Sequence, residues 1–423
     1  MALTIQQQPP QNYNSKTFFL PSFAPIEYLV SSTNTAQAGF KVIVSVHYDT
    51  DGADTKIATL QLNTIPSATQ VVTDIQNIVQ SFVSSEYTIL EGDTVNLSFS
   101  DYKKFRVAFQ EYNASGLQGS PSSGATFYAW DAAPKYKEFA TDDWKNWSIN
   151  EISSGLVTGE FLSSFEQNDE WDNFSKADKW IRINDSQKYQ INWLIDDSRN
   201  LAIYVKTMDA AFNTLSVRNL NFTSLKNQYG MDVGVQEITA HNWLINTTPS
   251  ALDMTGVKYY ALRILEATDD YWITPAIAFE VDDCDSTYTN YELHWLNRRG
   301  GYDSYTFTGK SNQETDIQKN FAKYNTRKIE ASSIVHNTYA QRKRAFHTGL
   351  RDTYTLNSRL LRDFEITGLE DLVSSPEVYW RDGSNFVSVN VTDNTYRHAK
   401  SENGQVYSMQ LTMEIDNSDK RQW

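Results

Sequence analysis

KVIVSVHY, from Lys41 to Tyr48, is followed after Asp51-Gly52 by KIATLQLN, from Lys56 to Asn63. The first run is rich in β-branched residues, which suit a pleated, half-buried strand. Asp-Gly between two such runs is a strong short-range hairpin signal, because both central positions of the tight turn need positive φ. One hairpin of this kind commits the surrounding chain to a β architecture, and the neighbouring segments repeat its pattern. TVNLSFS (Thr94 to Ser100), KKFRVAFQEYN (Lys103 to Asn113) and ATFYAWDAA (Ala125 to Ala133, stopped by Pro134) read as further strands. The Gly/Ser/Pro-rich stretch from Ser115 to Gly124 reads as a loop. VVTDIQNIVQSFV, from Val71 to Val83, has apolar residues at the spacing of one amphipathic helix. The fold class is therefore mainly β, with tandem β-sandwich-like domains and a few short helices.

Four segments follow. Residues 1–19, polar and Gln/Asn-rich with Pro9 and Pro10, form an N-terminal arm. Residues 20–138 form a first β-sandwich. Residues 139–289 form a second, led in by an irregular stretch holding Trp144, Trp147, Trp171 and Trp180. Its strands are KYQINWLIDD, RNLAIYVKTM, NTLSVRNLNF, VGVQEITA, VKYYALRILEA and AIAFEVDD. Residues 290–423 form a C-terminal β-rich domain. A weak repeat links the sandwiches: FRVAFQEYN, a loop and ATFYAWDA parallel YYALRILEA, a loop and AIAFEVDD. Duplication and chance convergence of period-2 strands explain that repeat equally well.

Composition narrows the function. Charged residues make up 21% of the 423 positions and hydrophobic residues 40%, so the chain is a folded one. The net charge of −15 disfavours contact with phosphate backbones or anionic lipid by the chain as a whole. The N-terminus lacks a basic and apolar leader and no apolar run reaches 18 residues, which implies synthesis in a cytoplasm without membrane insertion. Cys284 is the single cysteine, so an internal disulfide and a cysteine-based zinc site are both excluded.

Motifs for catalysis are missing: there is no phosphate loop, nucleophile elbow, dinucleotide fingerprint or zinc-helix histidine pair. The expectation is a non-enzyme with no cofactor and no metal. Asp49, Asp51 and Asp54 resemble a calcium loop, but Ala53 and Leu60 occupy two positions that such a loop needs, so a hairpin turn is the better reading. Asp282, Asp283, Cys284 and Asp285 read as a solvated turn. His47 and His294 lie within strands, where a hydrogen-bonded structural role is the default. Trp144, Trp147 and Trp171 with Asp142 and Asp143 are the place to look for a sugar site, against a competing role as core or subunit-contact aromatics. Tyr339 to Arg351 is the one basic concentration, with Arg342, Lys343 and Arg344; it suits an acidic neighbour, a nucleic acid or a charge-guarded strand edge.

NYELHWLNRRGGYDSYTFTGKSNQ, from Asn290 to Gln313, places W-L-N and a glycine turn between two aromatic strands, the second ending in F-T-G. DLVSSPEVYWRDGSNFVSVNV, from Asp371 to Val391, places S-P-x-V-Y before a short hairpin. Both resemble tail and neck virion proteins of the crAss-like group of tailed phages that infect Bacteroidetes, over about a third of the chain. The resemblance implies a structural ring or adaptor subunit of the neck, tail or baseplate around the DNA channel. The partners it implies are the portal, neighbouring ring or tail proteins, and on the order of six or twelve copies of itself. Contact with packaged DNA would be at most indirect. Trp295, Arg298, Arg299 and Tyr302, with Arg342, Lys343 and Arg344, are the candidate subunit contacts. The alternative is a receptor- or glycan-binding tail component, and less so a glycan-cleaving enzyme.

Overall fold

The computed structural model describes residues 3–9, 12–13, 16–17, 19–50, 53–65, 69–85, 87–89, 96–98, 102–153, 156–169, 179–195, 200–223, 227–233, 235–240, 242–245, 248–267, 271–282, 287–324, 327–336, 339, 341–393 and 407–415. The chain is mainly β and forms two compact units. The first comprises Met1–Asp283, Leu296–Ser304 and Thr367–Ser375; the second comprises Cys284–Trp295, Tyr305–Ile366 and Pro376–Trp423. Residues 20–138 and 139–283, assigned to two sandwiches in the sequence, thus fall in one unit.

Within the first unit one strand order occurs twice. Phe19–Pro21 runs parallel to Phe127–Trp130, which is antiparallel to Tyr102–Asn113, then Lys41–Thr50, then Ala53–Leu62. Ile181–Asn184 runs parallel to Ile277–Asp282, followed by Tyr259–Glu266, Asn200–Met208 and Thr214–Thr223, with the same directions throughout. In each copy the second strand in sequence crosses to an opposing sheet, where it pairs antiparallel with a later one. These pairs are Glu27–Ser32 with Gln70–Asp74, and Gln190–Ile195 with Asn227–Asp232. A short helix follows that later strand each time, Gln76–Gln80 and Val235–Ala240. This is the Greek-key order of an immunoglobulin-type sandwich. The hairpin expected around Asp51-Gly52 is present in register from Thr50↔Ala53 to Val42↔Leu62, its Asp51-Gly52 turn lying outside the described residues. Val42, Val44 and Val46 point into a core shared with Phe105, Phe127, Trp130 and Tyr28.

Five expectations are corrected. Val71 to Val83 is not one helix: Gln70–Asp74 is a strand and only Gln76–Gln80 is helical. The β-branched run Val71-Val72-Thr73 pairs with Glu27–Ser32, and the Asp74 carboxylate accepts from the amides of Ile26 (3.0 Å) and Gln76 (2.9 Å), breaking the chain between the two elements. Ser115 to Gly124 is not a loop: Gly116–Ser123 pairs with Tyr102–Asn113, and Pro121 is tolerated because this strand is at an edge and bulges there. VGVQEITA is not a strand but carries the helix Val235–Ala240, with Ile238 buried. The lead-in segment is not wholly irregular, since Ser148–Ser153 pairs with Leu156–Thr158 and with Gln190–Ile195. The N-terminal stretch also contributes to the core, because Leu3–Gln7 pairs with Glu27–Ser32 and Leu3 is buried.

The second unit is built on a seven-stranded sheet. Its order is Tyr302–Phe307, Tyr291–Leu296, Val378–Asp382, Asn385–Val391, Tyr407–Ile415, Lys343–Leu361, Asn312–Lys323. Leu293, Trp295, Leu356, Leu411 and Met413 are buried along it. Glu292 is held between His294 Nε2 (2.8 Å) and Arg381 Nη1 (2.9 Å), so His294 has the hydrogen-bonded structural role expected of it. The helix Asp363–Ser374 passes through Gly368 without a break, and glycine is required there for space, since a Cβ would lie 2.3 Å from the Phe165 ring.

Candidate functional site

Asn297 to Gly301 is a tight turn, closed by Gly300 N–H donating to Asn297 O (3.0 Å) and Asn297 N–H to Gly301 O (2.8 Å). Gly300 has φ +84°, and a Cβ on it would approach Asp131 O to 2.4 Å and the Trp130 ring to 2.7 Å. Glycine is therefore required twice over, for backbone conformation and for space. Trp130 Nε1 donates to Arg299 O (2.8 Å) and Ala133 N–H to Arg298 O (2.8 Å). The two guanidinium groups flank the buried Trp147 ring at 5.6 and 5.3 Å. Arg298 pairs with Glu138 and, at 3.5 Å, with Asp371; Arg299 pairs with Glu160. Burial pushes the Asp371 carboxyl up to about 6, against the pull of Arg298.

Beneath the turn is a polar hub. The buried carboxylate of Asp303 accepts from Ser163 Oγ (2.6 Å), Ser164 N (2.8 Å), Ser164 Oγ (2.6 Å), Tyr189 Oη (2.9 Å) and Asn297 Nδ2 (2.8 Å). Burial, with Asp303 alongside, holds the Tyr189 phenol well above its ordinary range. Asp303 thus accepts from two fixed donors, the Ser164 amide and Asn297 Nδ2, and from three hydroxyls, which suits a structural clamp. Arg298, Arg299 and Tyr302, expected to face a neighbouring subunit, thus serve the interior of the first unit, and Trp295 is buried as well. The local pattern shows an apolar-strand context and a basic turn, but the partners of Arg298 and Arg299 lie 73 to 160 residues away along the chain.

Arg342, Lys343 and Arg344 are placed differently. Asn312–Lys323 and Lys343–Leu361 form a long ribbon, in register from Asn312↔Thr355 to Lys323↔Lys343 with a bulge at Phe346. Lys343–Leu361 joins the main sheet only from Thr353 onward, where Tyr407–Ile415 begins to pair with it. Asn312–Lys323 spans about 40 Å at the rise of an extended strand. It is exposed along nearly all its length, as are the strands Arg327–Glu330 and Ser333–His336 of the small hairpin that follows. Opposed residues of an antiparallel pair share a face. One face of the ribbon therefore carries Ile317, Lys319, Phe321 and Lys323 opposite Leu350, Thr348, Ala345 and Lys343. Ile317 is 53% exposed, Phe321 48%, Phe346 65%, and the opposed pair Ile329 and Ile334 77% and 61%. Lys343 Nζ lies 4.4 Å from the Phe321 ring centre. The basic run was legible in the sequence; the exposed aliphatics were not, because only the pairing shows that nothing in the described chain covers them.

The remaining candidates resolve plainly. Trp144 and Trp147 are buried and offer no face to a sugar, and Trp171 lies outside the described residues. Asp142 pairs with Lys145 (2.7 Å). Asp49 pairs with Lys104 (2.6 Å), and Asp54 with Arg106 and His47, so these carboxylates of the presumptive calcium loop are neutralised along the hairpin. Asp283, Cys284 and Asp285 lie outside the described residues. Among the described residues no group of His, Cys, Asp and Glu is arranged to hold a metal, and no helix is long and apolar enough to cross a membrane.

No family model matches the chain, and no curated protein matches it. Among solved structures it is similar to the calcium-binding domain CBD12 of CALX1.1, at 9% identity and TM-score 0.20, over 67% of this chain and 100% of that one. It is similar to trypsin-activated alpha-2-macroglobulin from Escherichia coli at 7% identity and TM-score 0.18, over 86% of this chain and 23% of that one. Dimeric latent PorU from Porphyromonas gingivalis is similar at 8% identity and TM-score 0.18, over 97% and 34% of the two chains.

Proposed function

We propose that this protein is a non-enzymatic structural subunit of a larger assembly, and within that class a ring or adaptor component of the neck, tail or baseplate of a tailed-phage virion. The observation that carries the reading is the exposed ribbon of Asn312–Lys323 and Lys343–Leu361. A two-stranded ribbon is at best marginally stable in water when it packs on nothing. Aliphatic and aromatic side chains exposed along it are a liability for a solitary molecule and an anchor for one that assembles. The seven-stranded sheet supports the same reading, since Tyr407–Ile415 anchors the ribbon to it from Thr353 onward. The phage-virion part rests on the resemblance of Asn290–Gln313 and Asp371–Val391 to virion proteins of the crAss-like group.

The test is the mass of the purified chain in solution by light scattering, alone and with its neighbouring virion proteins. A species larger than one chain in either condition, lost when Thr315–Arg351 is replaced by a tight turn, is the expected result. A single-chain mass in both conditions refutes the assembly reading. Detection of the chain in purified particles checks the virion assignment separately.

A further inference from the structure

Charge identifies what the arm meets. The first unit carries 21 Lys and Arg against 37 Asp and Glu, whereas the second carries 16 against 15. Within the second unit, Asn312 to Arg351 carries eight basic residues against three acidic ones. A net −16 body and a net +5 arm therefore belong to one polypeptide. We propose that the arm of one copy docks on the acidic first unit of another copy, head to tail, a partner assignment that rests on the assembly reading above.

The face that docks is the one bearing Ile317, Lys319, Phe321 and Lys323, and the small hairpin that follows adds the exposed pair Ile329 and Ile334. Apolar side chains interleaved with cations suit a protein surface whose acidic residues surround apolar ground: the aliphatics supply burial, and the ammonium and guanidinium groups supply registry and attraction. Duplex DNA fits less well. A body at −16 opposes the approach of a phosphate backbone, whatever the charge of the arm. An arm-to-body contact uses two different surfaces, so each bound copy still offers one of them. Such heterologous contacts propagate until they close into a ring or continue as a filament. An arm-to-arm contact would instead bring two +5 segments together and stop at a pair.

The experiment is light scattering of the full chain over a concentration series, at low and high salt. The expected mass exceeds the 48.4 kDa of one chain at low salt. It falls towards that value at high salt, as the screening length contracts from about 30 Å at 0.01 M to about 3 Å at 1 M. The triple variant Lys319→Glu, Lys323→Glu, Lys343→Glu, which reverses the cations of that face, remains a single chain at every salt concentration, with unchanged circular dichroism. Ile329→Ser with Ile334→Ser raises the concentration needed for association at least tenfold. Mixing decides polarity. The charge-reversed chain keeps its acidic body, so it binds wild-type arms and lowers the mean mass of wild-type oligomers; an arm-to-arm contact leaves wild-type masses unchanged and overturns the proposal. Wild-type oligomers indifferent to both arm variants overturn it too. So does arm-dependent retardation of duplex DNA without self-association. A chain that is single alone yet joins neighbouring virion proteins through its arm refutes self-docking and leaves the assembly reading standing. A chain that oligomerises through its arm but joins no virion protein supports self-docking and refutes the virion placement.

Discussion

Replacing Asp303 by Ala should be among the most damaging single changes in the first unit, and replacing it by Asn much milder. The carboxylate is buried and accepts five hydrogen bonds. In Asp303→Ala, the Ser164 hydroxyl can turn to Gly368 O (3.1 Å) and the Ser163 hydroxyl to Tyr189 Oη (3.4 Å). Asn297 Nδ2 keeps Leu162 O (2.9 Å) with one of its two hydrogens. The Ser164 amide and the second Asn297 hydrogen have no substitute acceptor. Leaving a buried donor unmet costs about 1–3 kcal/mol each, and the weakened hydroxyl bonds add to this, giving a loss of about 3–5 kcal/mol. In Asp303→Asn, the remaining carbonyl oxygen serves the two fixed donors while the new amide donates to the Ser163 or Tyr189 oxygen. The expected cost is about 1 kcal/mol. Urea unfolding followed by tryptophan fluorescence measures both, since Trp130 donates to the turn that the hub supports. With two units in the chain, the transition should be checked by a second probe before a free energy is taken from it. An Ala variant within about 1 kcal/mol of wild type, or an Asn variant as damaged as the Ala one, would refute the clamp role.

Other changes test the same turn and the second unit. Gly300→Ala meets both the positive φ and the Asp131 carbonyl, and should cost about 2–5 kcal/mol in the same unfolding assay. Asp371 gives a pH signature. Its folded-state value of about 6 exceeds the unfolded one, so the folded chain holds the extra proton between about pH 4 and 6 and this group's contribution to stability falls as pH rises through that window. Asp371→Asn should therefore compare more favourably with wild type at pH 7 than at pH 4, by about 3 kcal/mol at most, in unfolding curves at the two pH values. Arg381→Met removes the guanidinium that pairs with the buried Glu292 carboxylate at 2.9 Å and should lower stability by about 2–4 kcal/mol, whereas the double change with Glu292→Gln should recover part of that loss.

Strand content was legible wherever a segment's own pattern and its neighbours' demands agreed. The Lys41–Leu62 hairpin, the strands at Tyr102–Asn113, Tyr259–Glu266 and Ile277–Asp282, and the hairpin Val378–Val391 all carry β-branched or aromatic runs between turn residues. The weak repeat between the two sandwiches acquires a physical basis in their common strand order. Where the reading failed, pairing outweighed local pattern. Val71 to Thr73 fits a helical stripe, yet the edge offered by Glu27–Ser32 draws it into a sheet. Gly116–Ser123 has loop composition, yet an open neighbour strand supplies it with hydrogen-bond partners.

The sequence alone determined that the chain is β-rich, acidic, built from repeated sandwich-like elements, and basic at Arg342 to Arg344, because these properties are set by composition and by spacing within ten or twenty residues. The tertiary structure decided what each charge does. Arg298 and Arg299 look like a surface pair in the sequence and are consumed by Glu138, Glu160 and Asp371, while Arg342, Lys343 and Arg344 lie on a ribbon that leaves its sheet. The difference depends on partners far away along the chain, and no local pattern encodes whether those partners arrive.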